Sequence, residues 1–295
     1  MSRAPLPANL ISLLRSPQAR APLIRKADRL TCPVSDFEGR IIEDVVVMLP
    51  ANQRSFFDDK FEVMRQGHKA EGEHHFCYEQ QMQLFESYLQ PDMVVLDIGC
   101  GPSLPYQKPA GVQIIGLEPS FNSISANDEC DLRIQGSAYA IPLADHSVDL
   151  VVCIYSVHHM VGESQAETLD NVQRAFVEFG RVLKPGGSLF IFEMTPLSLF
   201  AMIQRLGWNL ARRLFPHFLD MYFWSAANIV ELGQLTLPVA SQVEKIFFGT
   251  SAFIWFPPIF SLPWLRVPRL VYPLDAKLYI WHLLGPQANR LKEPR

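Results

Sequence analysis

Runs of apolar residues without polar alternation punctuate the middle of the chain. Val94-Val95-Leu96-Asp97-Ile98, Gln113-Ile114-Ile115-Gly116-Leu117-Glu118, Ser147-Val148-Asp149-Leu150-Val151-Val152-Cys153 and Ser188-Leu189-Phe190-Ile191-Phe192-Glu193 predict strands buried on both faces. Between the last two, Leu169, Val172, Phe176, Phe179, Val182 and Leu183 recur at helical spacing, so Glu167 to Leu183 predicts a helix that stops at Lys184-Pro185-Gly186-Gly187. Residues 51–90 read as helical, with Phe56, Phe57, Phe61, Met64, Met82, Phe85 and Leu89 at mixed helical spacing, a break at Gly67 and Gly72, and a stop at Pro91. Leu197 to Phe218 predicts an amphipathic helix and Ala227 to Leu235 another. Val239 to Phe248 and Ser251 to Phe256 are expected as the last two strands of the sheet. Residues 1–50 read as a small β-rich appendage: two knuckle-like turns at Leu13–Pro17 and Leu30–Ser35, then a hairpin over Gly39–Leu49. Strands alternating with helices give an α/β fold.

Composition narrows the function. The chain has 295 residues, 48% of them hydrophobic, which suffices for one large core with appendages. Its net charge of −4 lacks the basic balance that a nucleic-acid binder advertises. Cys32, Cys77, Cys100, Cys130 and Cys153 are scattered without metal-knuckle spacing or a disulfide framework, which points to a reducing, cytoplasmic setting and to no metal. Met1 to Ser16 does not read as a signal peptide. No apolar run is long enough to span a bilayer; the richest, Phe253 to Leu265, is broken by Pro257, Pro258 and Pro263.

The chemistry begins where the first buried strand ends. Asp97 is followed by Gly99 and Gly101, a tight turn that lets a ligand approach the backbone closely. The second strand ends in Glu118, an acid suited to both ribose hydroxyls of an adenosine-bearing ligand. Gly136-Ser137-Ala138, Ile141-Pro142-Leu143 with Asp145, and Arg181 to Gly187 follow in order. One glycine turn alone is a weak signal. The ordered set resembles the class I S-adenosylmethionine-dependent methyltransferases, most closely the small-molecule branch that includes the ubiquinone/menaquinone-type C-methyltransferases. The resemblance covers about residues 92–196.

That resemblance implies a Rossmann-like, seven-stranded, mostly parallel sheet with helices on both faces, and S-adenosyl-L-methionine as cofactor. It implies that Asp97 holds the cofactor's amino group, that Gly99, Cys100 and Gly101 line its turn, and that Glu118 takes the ribose. Ser137 and Ala138 stand at the adenine, and Cys153 and Ile154 flank the methionine moiety. The helix before Pro91 becomes a lid, with His74, His75 and Tyr78 turned toward the methionine end. Pro105 and Pro109 reduce the helix after the glycine turn to a single turn or a loop. The implied division is an appendage over 1–50, a helical lid over 51–90, a cofactor-binding core over 91–196, and closing strands with a substrate cap over 197–295.

Tyr155, His158 and His159 follow the fourth strand, where an acceptor approaches. A histidine there can take a proton from a hydroxyl or amine nucleophile. The Val-His-His-Met run is also a structural feature of this branch, so both readings stand. The N-terminal layout resembles the zinc ribbon that precedes some bacterial methyltransferase domains. The matching positions are Ser16, Ala19, Cys32 and Ser35, and one thiolate cannot build a zinc site. A ribbon without its metal and an unrelated hairpin are both consistent with this. The aromatic tail from Pro257 to Leu284 reads as a cap, as a core-covering extension, or as a peripheral membrane contact. The leading expectation is methylation of a small, apolar or lipid-linked acceptor. The competing readings are an rRNA base methyltransferase and a non-catalytic cofactor-binding or partner protein.

Overall fold

Four short strands near the start of the chain pair antiparallel in sequence order: β1 (Ile24–Lys26), β2 (Arg29–Thr31), β3 (Glu38–Ile42) and β4 (Val45–Val47). The β3–β4 turn is the two-residue Glu43-Asp44, both with positive φ, the backbone that matches strand twist in a tight hairpin. The protein was analysed as a computed structural model, which describes residues 6–49, 78–214, 221–246, 253–255, 266–268 and 274–285.

The sheet continues through β5 (Val94–Ile98), β6 (Gln113–Glu118), β7 (Leu132–Gln135), β8 (Val148–Ile154), β9 (Leu183–Pro196), β10 (Val239–Ile246) and β13 (Leu274–Leu283). Its eleven strands run β1-β2-β3-β4-β7-β6-β5-β8-β9-β13-β10. The expected seven-stranded core is the part from β7 to β10. It is parallel from β7 to β9, and β13 runs antiparallel to both its neighbours. The N-terminal strands extend this sheet, because β4 pairs parallel with β7, Val46 opposite Ile134. Leu10, Leu14, Leu30, Phe37 and Met48 share one apolar cluster with Leu117, Ile134 and Leu143.

Alternate strand residues serve opposite faces. Leu96, Ile98, Val151, Cys153, Leu189 and Ile191 belong to one cluster. Val95, Leu150, Val152, Phe190 and Phe192 belong to the other. The helices are α1 (Ala8–Ile11), α2 (Tyr78–Glu86), α3 (Phe121–Ala126), α4 (Gln165–Val182), α5 (Ser198–Leu214) and α6 (Ala226–Thr236). On the first face, α4 buries Val172, Phe176, Phe179 and Val182. On the second, α2 buries Met82 and Phe85 against Phe190 and Phe192. Helix α4 starts where expected: Ser164 accepts from the Glu167 N–H at 3.2 Å, and the Glu167 carboxylate accepts from the Glu163 N–H at 2.9 Å. Arg181, in its last turn, donates to the Ile141 and Leu143 carbonyls and to Asp145, fastening the loop after β7.

Two expectations about the C-terminal part are corrected. The second closing strand is Leu274–Leu283, not Ser251–Phe256; Phe253–Trp255 (β11) instead pairs with Arg266–Pro268 (β12) in a separate two-stranded sheet. Tyr279 and Trp281, read as part of an aromatic cap or membrane contact, are fully buried in β13 between β9 and β10. Over Leu274 to Leu278 apolar residues alternate with Asp275 and Lys277, which is the period of a strand. Trp264 and Tyr272 of the same tail lie outside the described residues.

Candidate active site

The chain leaves β5 for β6 and β7 on one side, and returns as β8 and β9 on the other. The strand order therefore switches between β5 and β8, and the crevice of such a sheet lies at the carboxyl ends of those strands. Asp97, Glu118, Tyr155 and His158 all lie at or just beyond such ends.

The glycine turn follows Asp97 directly. Gly99 and Gly101 have φ of +69° and +61°. The Gly99 N–H donates to the Leu117 carbonyl at 2.8 Å, which ties the turn to β6. The Gly101 N–H approaches a Glu118 carboxylate oxygen at 3.4 Å, and the other Glu118 oxygen accepts from the Ser120 N–H at 3.0 Å. Asn127 donates to the Gly101 carbonyl at 3.0 Å and holds the turn from the far side. No helix forms between Gly101 and β6, as the two prolines predict. Cys100 lies in this turn, but its thiol packs with Cys130 in the core, so what it offers a ligand is backbone.

Asp97 is buried, and its Oδ2 accepts from the Tyr106 hydroxyl at 2.7 Å. Burial pushes its carboxyl up to about 7, and the Tyr106 hydrogen bond pulls in the opposite direction. The unfolded chain ionises near pH 4. The folded chain therefore holds more protons between about pH 4 and 7, and stability falls as pH rises through that window. Replacing Asp97 by Asn should remove this slope, on the order of 3–4 kcal/mol across the window. Urea denaturation of both proteins at pH 4 and pH 7.5 measures it; parallel pH curves would refute the assignment. Tyr106 was not singled out in the sequence, because it lies in a proline-flanked loop with no periodic pattern.

At the end of β8 the backbone turns sharply. Tyr155 has φ of +50°, its N–H donates to the Phe192 carbonyl, and its hydroxyl donates to Gln81 Oε1 at 2.7 Å. Gln81, from α2, is fully buried and its Nε2 has no hydrogen-bond partner among the described residues. Val157–His159 form one 3₁₀ turn. The His158 Nδ1 lies 2.6 Å from the Glu193 carboxylate, which also accepts the His158 N–H at 3.0 Å and the Met194 N–H at 2.8 Å. Glu193 is fully buried at the carboxyl end of β9. The rings of His158 and His159 sit 4.3 Å apart, and Phe223 covers His158 at 5.4 Å. A carboxylate at Nδ1 fixes that nitrogen as the protonated one and leaves Nε2 as the basic one. Glu193 is the residue that strand reading missed; an acid closing an otherwise apolar buried strand was its signal.

Ser137 and Ala138 are half-buried just after β7, where the Ser137 hydroxyl accepts from the Tyr139 N–H at 3.2 Å. Cys153 is fully buried in the core, where burial pushes its thiol up, and Ile154 beside it at the end of β8 is half-buried. Tyr78 opens α2, but its side chain lies outside the described part, as do His74 and His75 entirely.

A family model for a methyltransferase domain matches residues 96–191. The chain is 30% identical over 187 residues to the thiol S-methyltransferase TMT1B of Rattus norvegicus, covering 60% of this chain and 67% of that protein. It is 29% identical to the sterol 24-C-methyltransferase of Yarrowia lipolytica over 45% of this chain and 34% of that protein. The chain spans about half or less of the length of the first curated relatives it matches, from 22% to 49%. Among solved structures, the Haloferax volcanii complex of the Trm112 methyltransferase activator with a methyltransferase aligns at TM-score 0.53 and 18% identity, over 79% of this chain and all of the matched one. A phosphoethanolamine N-methyltransferase of Haemonchus contortus aligns at TM-score 0.51 and 13% identity, over 79% of this chain and 60% of that one. At these identities the structural likeness is one of fold.

Proposed function

The chain belongs to the S-adenosylmethionine-dependent methyltransferases, and from that premise we propose that it methylates a small, apolar or lipid-linked acceptor held above the carboxyl ends of β5 and β8. The observation that carries this reading is the meeting of two sets of groups at one end of the sheet. The glycine turn with Asp97 and Glu118 suits the cofactor, and the His158–Glu193 pair suits a protic acceptor. The fit to S-adenosylmethionine rests on the turn and on Gln81. A side chain at Gly99 would fill the cradle, and the buried Nε2 of Gln81, without a partner among the described residues, is a donor for a carboxylate. When bound, the cofactor supplies an electrophilic methyl group on a sulfonium.

The residues then have distinct tasks. Glu118 accepts the ribose hydroxyls. Asp97 takes the amino group, and a cation there favours its ionised form. Ser137 and Ala138 flank the adenine, and the backbone of Gly99, Cys100 and Gly101 lines the turn. Tyr155, tied to α2 through Gln81, closes the methionine side. His158 takes the acceptor's proton at Nε2, with His159 beside it. Calorimetric titration with S-adenosylmethionine tests the first half of this reading. Glu118→Ala should weaken binding by about 1–3 kcal/mol, roughly 5- to 150-fold, since it leaves ribose hydroxyls unpaired. Unchanged affinity would overturn the site.

The N-terminal strands fit a ribbon that has lost its metal. Cys32 hydrogen-bonds with Ser35 and then Ser16, contacts that hold its thiol below the ordinary range, and the Ser16 hydroxyl accepts from the Ala19 N–H at 3.2 Å. The four knuckle positions thus gather around one point with a single thiol among them. Elemental analysis of the purified chain should find no stoichiometric zinc after a chelator wash; one zinc per chain would contradict this.

A further inference from the structure

Helix α5 presents an apolar stripe to solvent. Leu199, Met202, Ile203, Leu206, Leu210 and Leu214 recur at i, i+3 and i+4, and they are 66%, 48%, 57%, 74%, 63% and 61% exposed. The opposite face of the helix is fixed. Trp208 is buried with its ring 4.9 Å from that of Tyr222, and the Gln204 amide makes two hydrogen bonds to the Phe223 backbone, at 2.8 and 3.0 Å. The stripe is therefore held outward by the packing of the helix.

Charge selects what the stripe meets. The 17 residues of α5 include no acid and three arginines, in a chain whose net charge is −4. Arg205 is exposed beside the stripe, Arg213 is exposed in the last turn of the helix, and Arg212 lies 3.7 Å from Glu163. An apolar stripe flanked by arginines, without acids, is the pattern of a helix lying in the interface of an anionic bilayer. A second copy of the chain fits less well. A two-fold contact along the stripe would gather the arginines of both helices at one interface, with no acid on either helix to offset them.

We infer that α5 docks this protein on an anionic lipid surface, with the leucine stripe inserted and the arginines at the phosphates. The inference rests on the helix surface alone, so it stands or falls separately from the methyl-transfer reading.

Co-sedimentation of the full chain with phosphatidylcholine vesicles, with and without phosphatidylglycerol, tests it in the absence of cofactor and acceptor. Binding should be roughly tenfold or more tighter on the anionic vesicles and should weaken with salt. Leu206→Glu with Leu210→Glu should abolish binding to both vesicles, and Arg205→Glu with Arg213→Glu should abolish the anionic preference. All four side chains are exposed, so thermal unfolding and S-adenosylmethionine affinity should stay at the parent values. Three results would overturn the inference: no vesicle binding by the parent chain, undiminished binding by the leucine variant, or a dimer by light scattering that the leucine variant dissolves.

Discussion

Gly99→Val should abolish S-adenosylmethionine binding, with affinity reduced by at least roughly 100-fold. Two effects act together. Gly99 has φ of +69°, where a β-branched residue is strained by about 1–3 kcal/mol. A Cβ there would also lie 2.8 Å from the Ser156 Cβ, closer than two carbons approach without displacement. Ser156 sits in the sharp turn after β8, so the displacement would spread to Tyr155 and to the cofactor cradle together. Gly111→Ala is the control. Its φ of +85° imposes comparable backbone strain just before β6, and the nearest atoms to its Cβ would be those of Pro91 and Asp92, none closer than 3.3 Å. That variant should lose stability and keep its affinity. Equal loss of affinity in both would show that Gly99 acts through fold stability alone.

The parallel core was readable because its information is local. Strands buried on both faces appear as unbroken apolar runs, and an acid or glycine at the end of a run marks where the chain meets the ligand side. Asp97 and Glu118 were placed at strand ends, and Gly99 and Gly101 in the turn between them, in that way, and Pro105 and Pro109 correctly signalled the missing helix. What was not readable depends on pairing at a distance. Strand β13 carries charges at Asp275 and Lys277, and Lys277 is matched by Glu244 at 2.9 Å on the neighbouring β10. Without knowledge of that partner the segment resembles a mixed aromatic tail. The joining of β4 to β7 is likewise invisible locally, since the hairpin pattern of residues 38–47 is the same whether it closes a separate module or extends a sheet. Tyr106 and Glu193 acquire their roles only through contacts with residues 9 and 35 positions away.

His158→Ala should lower turnover by roughly 10²–10⁴-fold while leaving S-adenosylmethionine affinity intact, if the acceptor gives up a proton as it is methylated. The structure sharpens this expectation through Glu193. One Glu193 oxygen lies 2.6 Å from His158 Nδ1, and the carboxylate also accepts two backbone N–H groups, so the acid is held in place independently of the ring. It orients the imidazole and stabilises the cation that forms when Nε2 gains a proton. Glu193→Gln keeps the shape and removes the charge. Its single amide oxygen cannot serve both sites that the two carboxylate oxygens serve, so an N–H₂ faces either the His158 backbone N–H or Nδ1, and in the second case it favours the wrong tautomer. That variant should lose kcat by a comparable factor with little change in KM for the acceptor. His158→Ala with Glu193→Gln should be no worse than His158→Ala alone, because the acid acts through the ring. Methyl transfer measured with thiol and phenol acceptors, with cofactor affinity as the control, separates these outcomes. Full turnover in His158→Ala would remove the base and leave positioning as the protein's contribution, which fits a carbon nucleophile or an acceptor that arrives already ionised.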